Sequence, residues 1–324
     1  MPVIPSAICL IENHRFYYRG HDALRLTESA TLEAAAAILW EAPEAGSAPA
    51  RAVPNLPGRA GAGVADVLER CRLRIAELAA ADLAALDLTP AGLVRSGRLI
   101  VAELTACVAG AAPSAAPAHR QLAAAWKLDE AGADLVRRAL VLLADHELNA
   151  STFVARCVAS TGATPYAVVS AALAALSGRR HGGASARAEA LFRELGEAAP
   201  APLLAARLAR GDDIPGLGQP LYPEGDPRAL ALIQALGKAR PAAGARAAAA
   251  AVAATELTGR LPNIDFALGA TTTALGLPAG TALGIFLIAR SVGWIAHARE
   301  QYQSGVLIRP RARYTGRRPN AIAE

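Results

Sequence analysis

The chain has 324 residues, of which 53% are hydrophobic, so it can bury one large core or two modest ones. Its formal net charge of +5 comes almost wholly from arginine, because Lys127 and Lys238 are the only lysines. Arginine binds carboxylates and phosphates in a fork, and no basic stripe interleaved with aromatics is present, so anionic metabolites are favoured over nucleic acid. Aromatic residues make up only 4%, and alanine occurs in runs such as 247–251, which predicts a mostly α-helical protein.

The first part of the chain alternates short apolar segments with breakers. Residues 13–19 are aromatic and polar, which predicts a strand or hairpin, and residues 32–40 are typical of a short apolar helix. Residues 42–63 are rich in proline, glycine and alanine and indicate a loop or linker. Three further helices are predicted, over residues 64–81, 90–107 and 116–125.

Helical spacing becomes clearer over residues 131–176, where apolar side chains recur at intervals of three and four. Three helices are predicted here, and Asn149 or Ser151 can cap the second of them. This arrangement places His146 and His181 at helix ends beside loops. Polar groups at helix ends can converge on a ligand, so both histidines are candidate site residues.

Residues 266–289 carry no charge and form a run long enough to span a bilayer. Gly276, Pro278 and Gly280 interrupt the middle of this run, which favours two buried helices joined by a turn. The N-terminus has no basic region followed by a long apolar one, so we expect no signal peptide and a cytoplasmic location.

The cysteines lie far apart along the chain and have no CxxC spacing; they are Cys9, Cys71, Cys107 and Cys157. This spacing argues against a metal site or a disulfide. We expect buried thiols in a reducing cytosol.

Three residues have two interpretations each from the residues alone. His146 lies between Asp145 and Glu147, which is typical of a salt-bridged surface histidine, and its spacing is not the HExxH zinc pattern. His181 precedes two glycines and a helix, which suits either a solvated turn or an imidazole that stabilises a developing enolate. Asp265 precedes an apolar run and is either a helix cap or a partly desolvated general base with a raised pKa.

Several of these segments closely resemble citrate synthases. The resemblance is carried by Asn263-Ile264-Asp265, by residues 288–297 (IARSVGWIAH) and by residues 309–316 (RPRARYTG). It extends to the triplet around His146, to the His-Gly motif at His181, and to the Asp-Pro-Arg that ends at Arg228. It covers nearly the whole chain and is strongest after residue 140.

The resemblance implies an all-α, citrate synthase-like fold with a large and a small helical domain and a cleft between them. The large domain would comprise residues 1–182 and 277–324, and the small domain residues 183–276. It also implies a homodimer, because the tail that carries Arg309 reaches the neighbouring active site in the family.

The resemblance also implies a role for each candidate residue. Asp265 would remove a proton from the acyl group, and His181 would polarise the thioester carbonyl. The 2-oxo acid would be bound and polarised by His146, Gln219, Arg228, Arg290 and Arg309. The loop of Pro215, Gly216, Leu217 and Gly218 would contact coenzyme A, with the coenzyme A thioester as substrate and no tightly bound cofactor or metal.

Two positions depart from the family pattern. Gln219 stands where the family has a histidine that donates to the oxaloacetate carbonyl, and an amide can donate but cannot carry charge. Ser185 replaces a common asparagine, a change we expect to affect the helix start more than the chemistry. The predicted function is a Claisen-type condensation of acetyl-CoA, or another short acyl-CoA, with oxaloacetate or a related 2-oxo acid. The alternative is a catalytically impaired homologue that binds CoA esters or dicarboxylates as a sensor or assembly partner.

Overall fold

The computed structural model describes residues 4–44 and 66–318. Within these ranges the chain forms 14 α-helices, one short 3-10 helix and a small sheet of three strands. The predicted all-α class is therefore confirmed. The predicted loop over residues 42–63 lies mostly outside the described residues.

The sheet is an antiparallel hairpin with a short third strand, in the order β1 (Cys9–Glu12), β2 (Arg15–Tyr18) and β3 (His21–Asp22). Asn13 and His14 connect the first two strands with φ of 51° and 58°, as a tight two-residue hairpin turn requires. The predicted strand or hairpin over residues 13–19 is thus confirmed.

The helices before residue 126 follow the sequence pattern closely. They are α1 (Ala23–Leu26), α2 (Leu32–Trp40), α3 (Val67–Ala81), α4 (Pro90–Ala109) and α5 (Ala118–Ala125), with the 3-10 helix η1 (Leu83–Leu86) between α3 and α4. Side chains of Thr31, Asp66 and Thr89 accept backbone N–H groups at the starts of α2, α3 and α4. Such caps each contribute about 1 kcal/mol to helix stability.

The remaining helices carry most of the predicted site residues. They are α6 (Glu130–Leu143), α7 (Ala150–Ala159), α8 (Pro165–Leu176), α9 (Gly183–Leu195), α10 (Pro200–Ala209), α11 (Pro227–Ala239), α12 (Pro241–Thr258), α13 (Ile264–Ala274) and α14 (Thr281–Ser304). Of the two predicted caps for α7, the structure uses Asn149, whose Oδ1 accepts the N–H of Thr152 at 3.1 Å. Asp226 and Asn263 cap α11 and α13 in the same way.

Helix α14 is the central helix of the core. It is long and apolar enough to cross a membrane, and the apolar part of it is completely buried inside the protein. The uncharged run over residues 266–289 breaks at residues 275–280, which gives the two buried helices that its glycines and proline predict. The N–H of Gly293 donates to the carbonyl of Ala144 at 3.0 Å, so α14 touches the chain directly after α6.

Buried apolar side chains form two clusters. The larger one surrounds α14 and includes side chains from α2 to α8. The smaller one is drawn from residues 191–270 together with Leu135 of α6. On this second cluster we propose residues 183–276 as a small domain, packed against a large domain of residues 1–182 and 277–324.

The close approach at Gly293 leads to a prediction on stability. A Cβ atom at this position would lie 2.6 Å from the carbonyl oxygen of Ala144 and would also collide with the carboxylate of Asp145. Gly293→Ala should therefore lower the free energy of unfolding by about 1–3 kcal/mol, as measured by urea denaturation. The control is Gly237→Ala in α11, where a Cβ meets nothing within 4 Å and a gain of about 0.4–1 kcal/mol is expected. Equal stabilities of the two variants would contradict the packing argument.

Candidate active site

Five of the predicted site residues come together where helix ends meet α14. His146 follows α6, His181 lies between α8 and α9, and Arg228 and Asp265 lie in the first turns of α11 and α13. Arg290 lies in the middle of α14. Beside the larger effect of burial, the charge of Arg290 lowers the pKa of both histidines and of Asp265. The charge of Arg228 likewise lowers the pKa of His146 and Asp265. The fold therefore gathers residues that are up to 144 positions apart in the sequence.

The guanidinium of Arg290 is buried and has no carboxylate partner among the described residues. Its Nε donates to the carbonyl of Leu143 at 2.9 Å, and its Cζ lies 5.0 Å from the ring centroid of Phe286. Burial lowers the pKa of Arg290, while the nearby charge of Asp145 opposes this shift. A buried cation that lacks a counterion is costly, so this position favours an anionic ligand.

Arg228 is also buried but is already neutralised. Its Nε and its terminal nitrogen donate to the two oxygens of Asp226, at 2.9 and 2.7 Å. Asp226 Oδ2 also accepts the N–H of Ile264 at 3.1 Å, which joins the starts of α11 and α13. Asp226 was not among the predicted site residues, although its position two residues before Arg228, at a helix cap, is a signal that could have identified it.

His146 is buried and neutral. Burial, followed by the charges of Arg228 and Arg290, holds the pKa of His146 well below its ordinary value. Its Nε2 lies 3.0 Å from the hydroxyl of Tyr222. The structure therefore excludes the surface salt bridge that the sequence allowed for this histidine, and it adds Tyr222 to the site.

His181 is held by a serine that sequence reasoning treated only as a possible helix cap. Its Nε2 lies 2.7 Å from Ser151 Oγ, which also accepts the indole N–H of Trp294 at 3.1 Å. Ser151 Oγ also lies 2.9 Å from Asn149 Oδ1, an acceptor to which its hydroxyl can donate. The serine hydroxyl has one proton, so it donates either to Asn149 Oδ1 or to His181 Nε2. In the second arrangement the neutral imidazole carries its own proton on Nδ1, the ring nitrogen that does not contact Ser151.

Asp265 is positioned by the cap of α13. Asn263 Oδ1 accepts the N–H of Asp265 at 3.0 Å, and Ser185 Oγ donates to Asp265 Oδ1. Burial raises the pKa of Asp265, and the hydrogen bond from Ser185 lowers it in part. We expected the serine at position 185 to affect the helix start more than the chemistry, and the structure adds a direct contact of its hydroxyl with the candidate base.

The glycine loop over residues 214–218 is hydrogen-bonded to the segment that leads into α13. Gly216 and Gly218 have φ of 82° and 78°, and a Cβ at Gly216 would lie 2.7 Å from the nitrogen of Phe266. Gly218 N–H donates to the carbonyl of Leu261 at 2.7 Å, and Gly216 accepts from Asn263 at 2.8 Å. Several backbone groups of the loop are thus used internally. Its contact with coenzyme A stays a prediction.

Two predicted residues are not brought into contact with the others. The Oε1 of Gln219 lies 3.4 Å from the N–H of Leu221, and no hydrogen bond among the described residues joins this side chain to the rest of the site. Arg309 lies exposed in the irregular segment after α14, without an ion pair or hydrogen bond to a described residue. The roles predicted for both residues stay predictions.

Comparisons with known proteins give the class to which this fold and site belong. A family model described as "Citrate synthase, C-terminal domain" matches residues 65–311, which is more than half of the chain. The chain is 40% identical over 197 residues to a citrate synthase of Haloferax volcanii, covering 58% of this chain and 52% of that protein. It is 36% identical over 185 residues to a 2-methylcitrate synthase of Mycobacterium tuberculosis, covering 55% and 47%.

The fold is also similar to a solved citrate synthase from Thermoplasma acidophilum, in a ternary complex with carboxymethyl coenzyme A and oxaloacetate. The TM-score is 0.80 at 23% identity, covering all of this chain and 96% of that one, and this likeness shows the fold alone. The protein described here belongs to the citrate synthase family. It spans about half the length of the curated relatives that it matches.

The low pKa of His181 predicts an acid-sensitive contribution to stability. Burial, followed by the charge of Arg290, lowers the pKa of His181 from 6.5 to about 4. Between these pH values the unfolded chain binds a proton that the folded chain does not, so stability decreases as the pH falls from 6.5 towards 4. Urea unfolding at pH 7 and pH 5 should show a smaller loss in His181→Gln than in the wild type, by about 1 kcal/mol.

The control for this measurement is His21→Gln, which removes an exposed histidine from β3 and should leave the wild-type acid sensitivity unchanged. If His181→Gln lost as much stability at pH 5 as the wild type, the burial of a neutral imidazole would not be the cause.

Proposed function

We propose that this protein catalyses a Claisen-type condensation of a short acyl-CoA, such as acetyl-CoA, with oxaloacetate or a related 2-oxo acid. The observation that supports this most is the arrangement around Arg290. A buried, uncompensated cation lies near two neutral imidazoles and near a carboxylate whose pKa is raised. This combination suits proton abstraction beside a bound dianion.

The proposed reaction begins at Asp265. Its carboxylate removes a proton from the carbon next to the thioester carbonyl, and burial makes it a stronger base than an exposed aspartate. His181 is neutral at physiological pH, and in the tautomer whose Nε2 accepts from Ser151 it donates its Nδ1–H to the enolate oxygen as charge develops there. The enolate carbon then attacks the carbonyl carbon of the 2-oxo acid, so that the new C–C bond forms while the C=O π bond opens, and the resulting alkoxide oxygen takes up a proton to become a hydroxyl. Water hydrolyses the resulting thioester, which releases coenzyme A.

The 2-oxo acid is placed by the cationic side of the site. Arg290 has free donors for a carboxylate, whereas Arg228 would share its donors between the substrate and Asp226. His146 is close enough to both arginines for their charges to lower its pKa. Its neutral imidazole can hydrogen-bond an oxygen of the substrate. A citrate synthase and a 2-methylcitrate synthase are both among the relatives, so the acyl group could be acetyl or propionyl.

A second candidate function is a non-catalytic protein that binds CoA esters or dicarboxylates. Two observations favour it. Gln219 turns its amide oxygen to Leu221 N–H, and Tyr222 lies within hydrogen-bonding distance of His146 Nε2. Loss of one preorganised donor at an oxyanion costs about 10²–10³ in rate in other enzymes, which would leave a slow catalyst.

Release of free thiol distinguishes these two functions. With oxaloacetate and either acetyl-CoA or propionyl-CoA, the wild type should release coenzyme A, and Asp265→Asn should lower the rate by about 10²-fold or more. The control is Asp213→Asn, an exposed carboxylate beside the glycine loop, which should keep the wild-type rate. Gln219→His should raise the rate by about tenfold, equivalent to about 1.4 kcal/mol, because a stronger donor would face the developing charge.

The opposite result would replace the enzyme proposal with the binding function. In that case neither the wild type nor Gln219→His would release thiol with any 2-oxo acid, while both would bind CoA esters in calorimetry.

We further propose that the protein is a homodimer in which Arg309 completes the neighbouring site. Arg309 is exposed on the tail, which also carries the exposed apolar side chains of Val306 (63%) and Leu307 (54%). Phe153 presents a 36% exposed apolar ring on α7. Apolar surface of this kind favours contact with a second copy of the chain.

Co-expression of two inactive variants tests both the dimer and the contribution of Arg309 to the neighbouring site. Asp265→Asn and Arg309→Ala should each be inactive alone. In a mixed dimer, one of the two sites combines an intact Asp265 with an intact Arg309 from its partner, so random pairing should restore about a quarter of the wild-type activity. If Arg309 acted within its own subunit, mixing would restore nothing. Sedimentation at micromolar concentration should show a dimer. An active monomer would rule out a contribution of Arg309 to the neighbouring site.

A further inference from the structure

We propose that Cys71 and Cys107 form a redox-sensitive dithiol, which hydrogen peroxide converts into a disulfide between α3 and α4. This site is separate from the candidate active site, and the inference does not depend on the proposed condensation. The sequence contains no sign of the pair, because the two cysteines are separated by 35 residues and belong to different helices.

The two thiols meet where α3 packs on α4. Their side chains interact directly across the contact between the two helices, and both are free cysteines. Cys71 is completely buried, whereas Cys107 lines a cavity of about 110 Å³ that is partly open to solvent. A small oxidant in this cavity can therefore reach Cys107 first, with Cys71 directly behind it.

Electrostatics gives the two thiols different chemical roles. The interaction with Cys71, with the charges of Arg70 and Arg74, lowers the pKa of Cys107, although burial and the charge of Glu103 oppose the shift. The same interaction and burial raise the pKa of Cys71. Cys107 is thus the thiol that more readily becomes a thiolate, and the thiolate is the nucleophile in cysteine oxidation.

The remaining cysteines differ from Cys107. Burial raises the pKa of both Cys9 and Cys157, so neither has an environment that favours the thiolate. They are matched internal references for the reactivity of Cys107.

The oxidation proceeds in two balanced steps. The Cys107 thiolate attacks one oxygen of hydrogen peroxide, the O–O bond breaks, and hydroxide leaves and is protonated to water, so that Cys107 becomes a sulfenic acid. The Cys71 thiol then attacks the Cys107 sulfur, the S–S bond forms, and the second water leaves. Two thiols and one hydrogen peroxide give one disulfide and two waters. A thiol reductant reverses the change.

Peptide mass analysis after thiol blocking tests the proposal. Reduced wild-type protein treated with hydrogen peroxide should yield a cross-linked Cys71–Cys107 peptide pair, lighter by two hydrogens and reversed by dithiothreitol. Cys9 and Cys157 should remain free to react with iodoacetamide. The control Cys157→Ser should form the same cross-link at the same rate.

Single variants separate the roles of the two thiols. Cys71→Ser should leave a sulfenic acid at Cys107 that dimedone traps, and Cys107→Ser should leave Cys71 reduced; circular dichroism checks that both variants fold. The proposal is overturned if the wild type accumulates sulfinic acid at Cys107 while Cys71 stays a free thiol, or if Cys71 is oxidised in Cys107→Ser.

Discussion

Arg290 is buried in the middle of α14 and has no carboxylate partner in the part of the chain that the structure describes, and its charge is the constraint on which the candidate site depends. Such a charge costs several kcal/mol to bury, and the extensive apolar packing of α14 offsets this cost. The charge has two effects on its surroundings. It adds to burial, the larger cause, in lowering the pKa of His146 and His181, so that both imidazoles are neutral, and it creates a place where an anion is favoured. Helix packing is thereby linked to the chemistry of the site.

Asp226 connects the cationic and the basic parts of the site. One of its oxygens accepts from Arg228, and the other accepts from Arg228 and from the N–H of Ile264 at the start of α13. Because Asp265 follows Ile264 directly, a change in the position of Arg228 is transmitted to the candidate base. Ser151 has an equivalent place beside His181, where it contacts Trp294 of the core. Both residues act through their neighbours, which makes them positioning residues.

The departures from the family pattern are concentrated near these residues. Ser185 contacts Asp265, and the segment of Gln219 also contains Tyr222, which contacts His146. A short side chain at position 185 places a hydroxyl against the carboxylate and moderates the rise of its pKa. Taken together, these changes keep the acid–base groups while altering the donors around them. An enzyme with changed rate or substrate preference and a binding protein both fit such a pattern, and chemistry at Asp265 separates them.

Local sequence determined the secondary structure and the family. Alanine content, helix caps and the glycine–proline break at residues 276–280 predict the helices, because each depends on groups within a few residues. The motifs around His146, His181, Asp265 and Arg290 identify candidate residues for the same reason. Only the tertiary structure decided which side chains they touch. The hydroxyls of Ser151, Ser185 and Tyr222 lie 30, 80 and 76 positions from their partners, and no local pattern records such contacts. The same holds for the thiols of Cys71 and Cys107, since the packing of two helices, and not their spacing in the chain, brings them together.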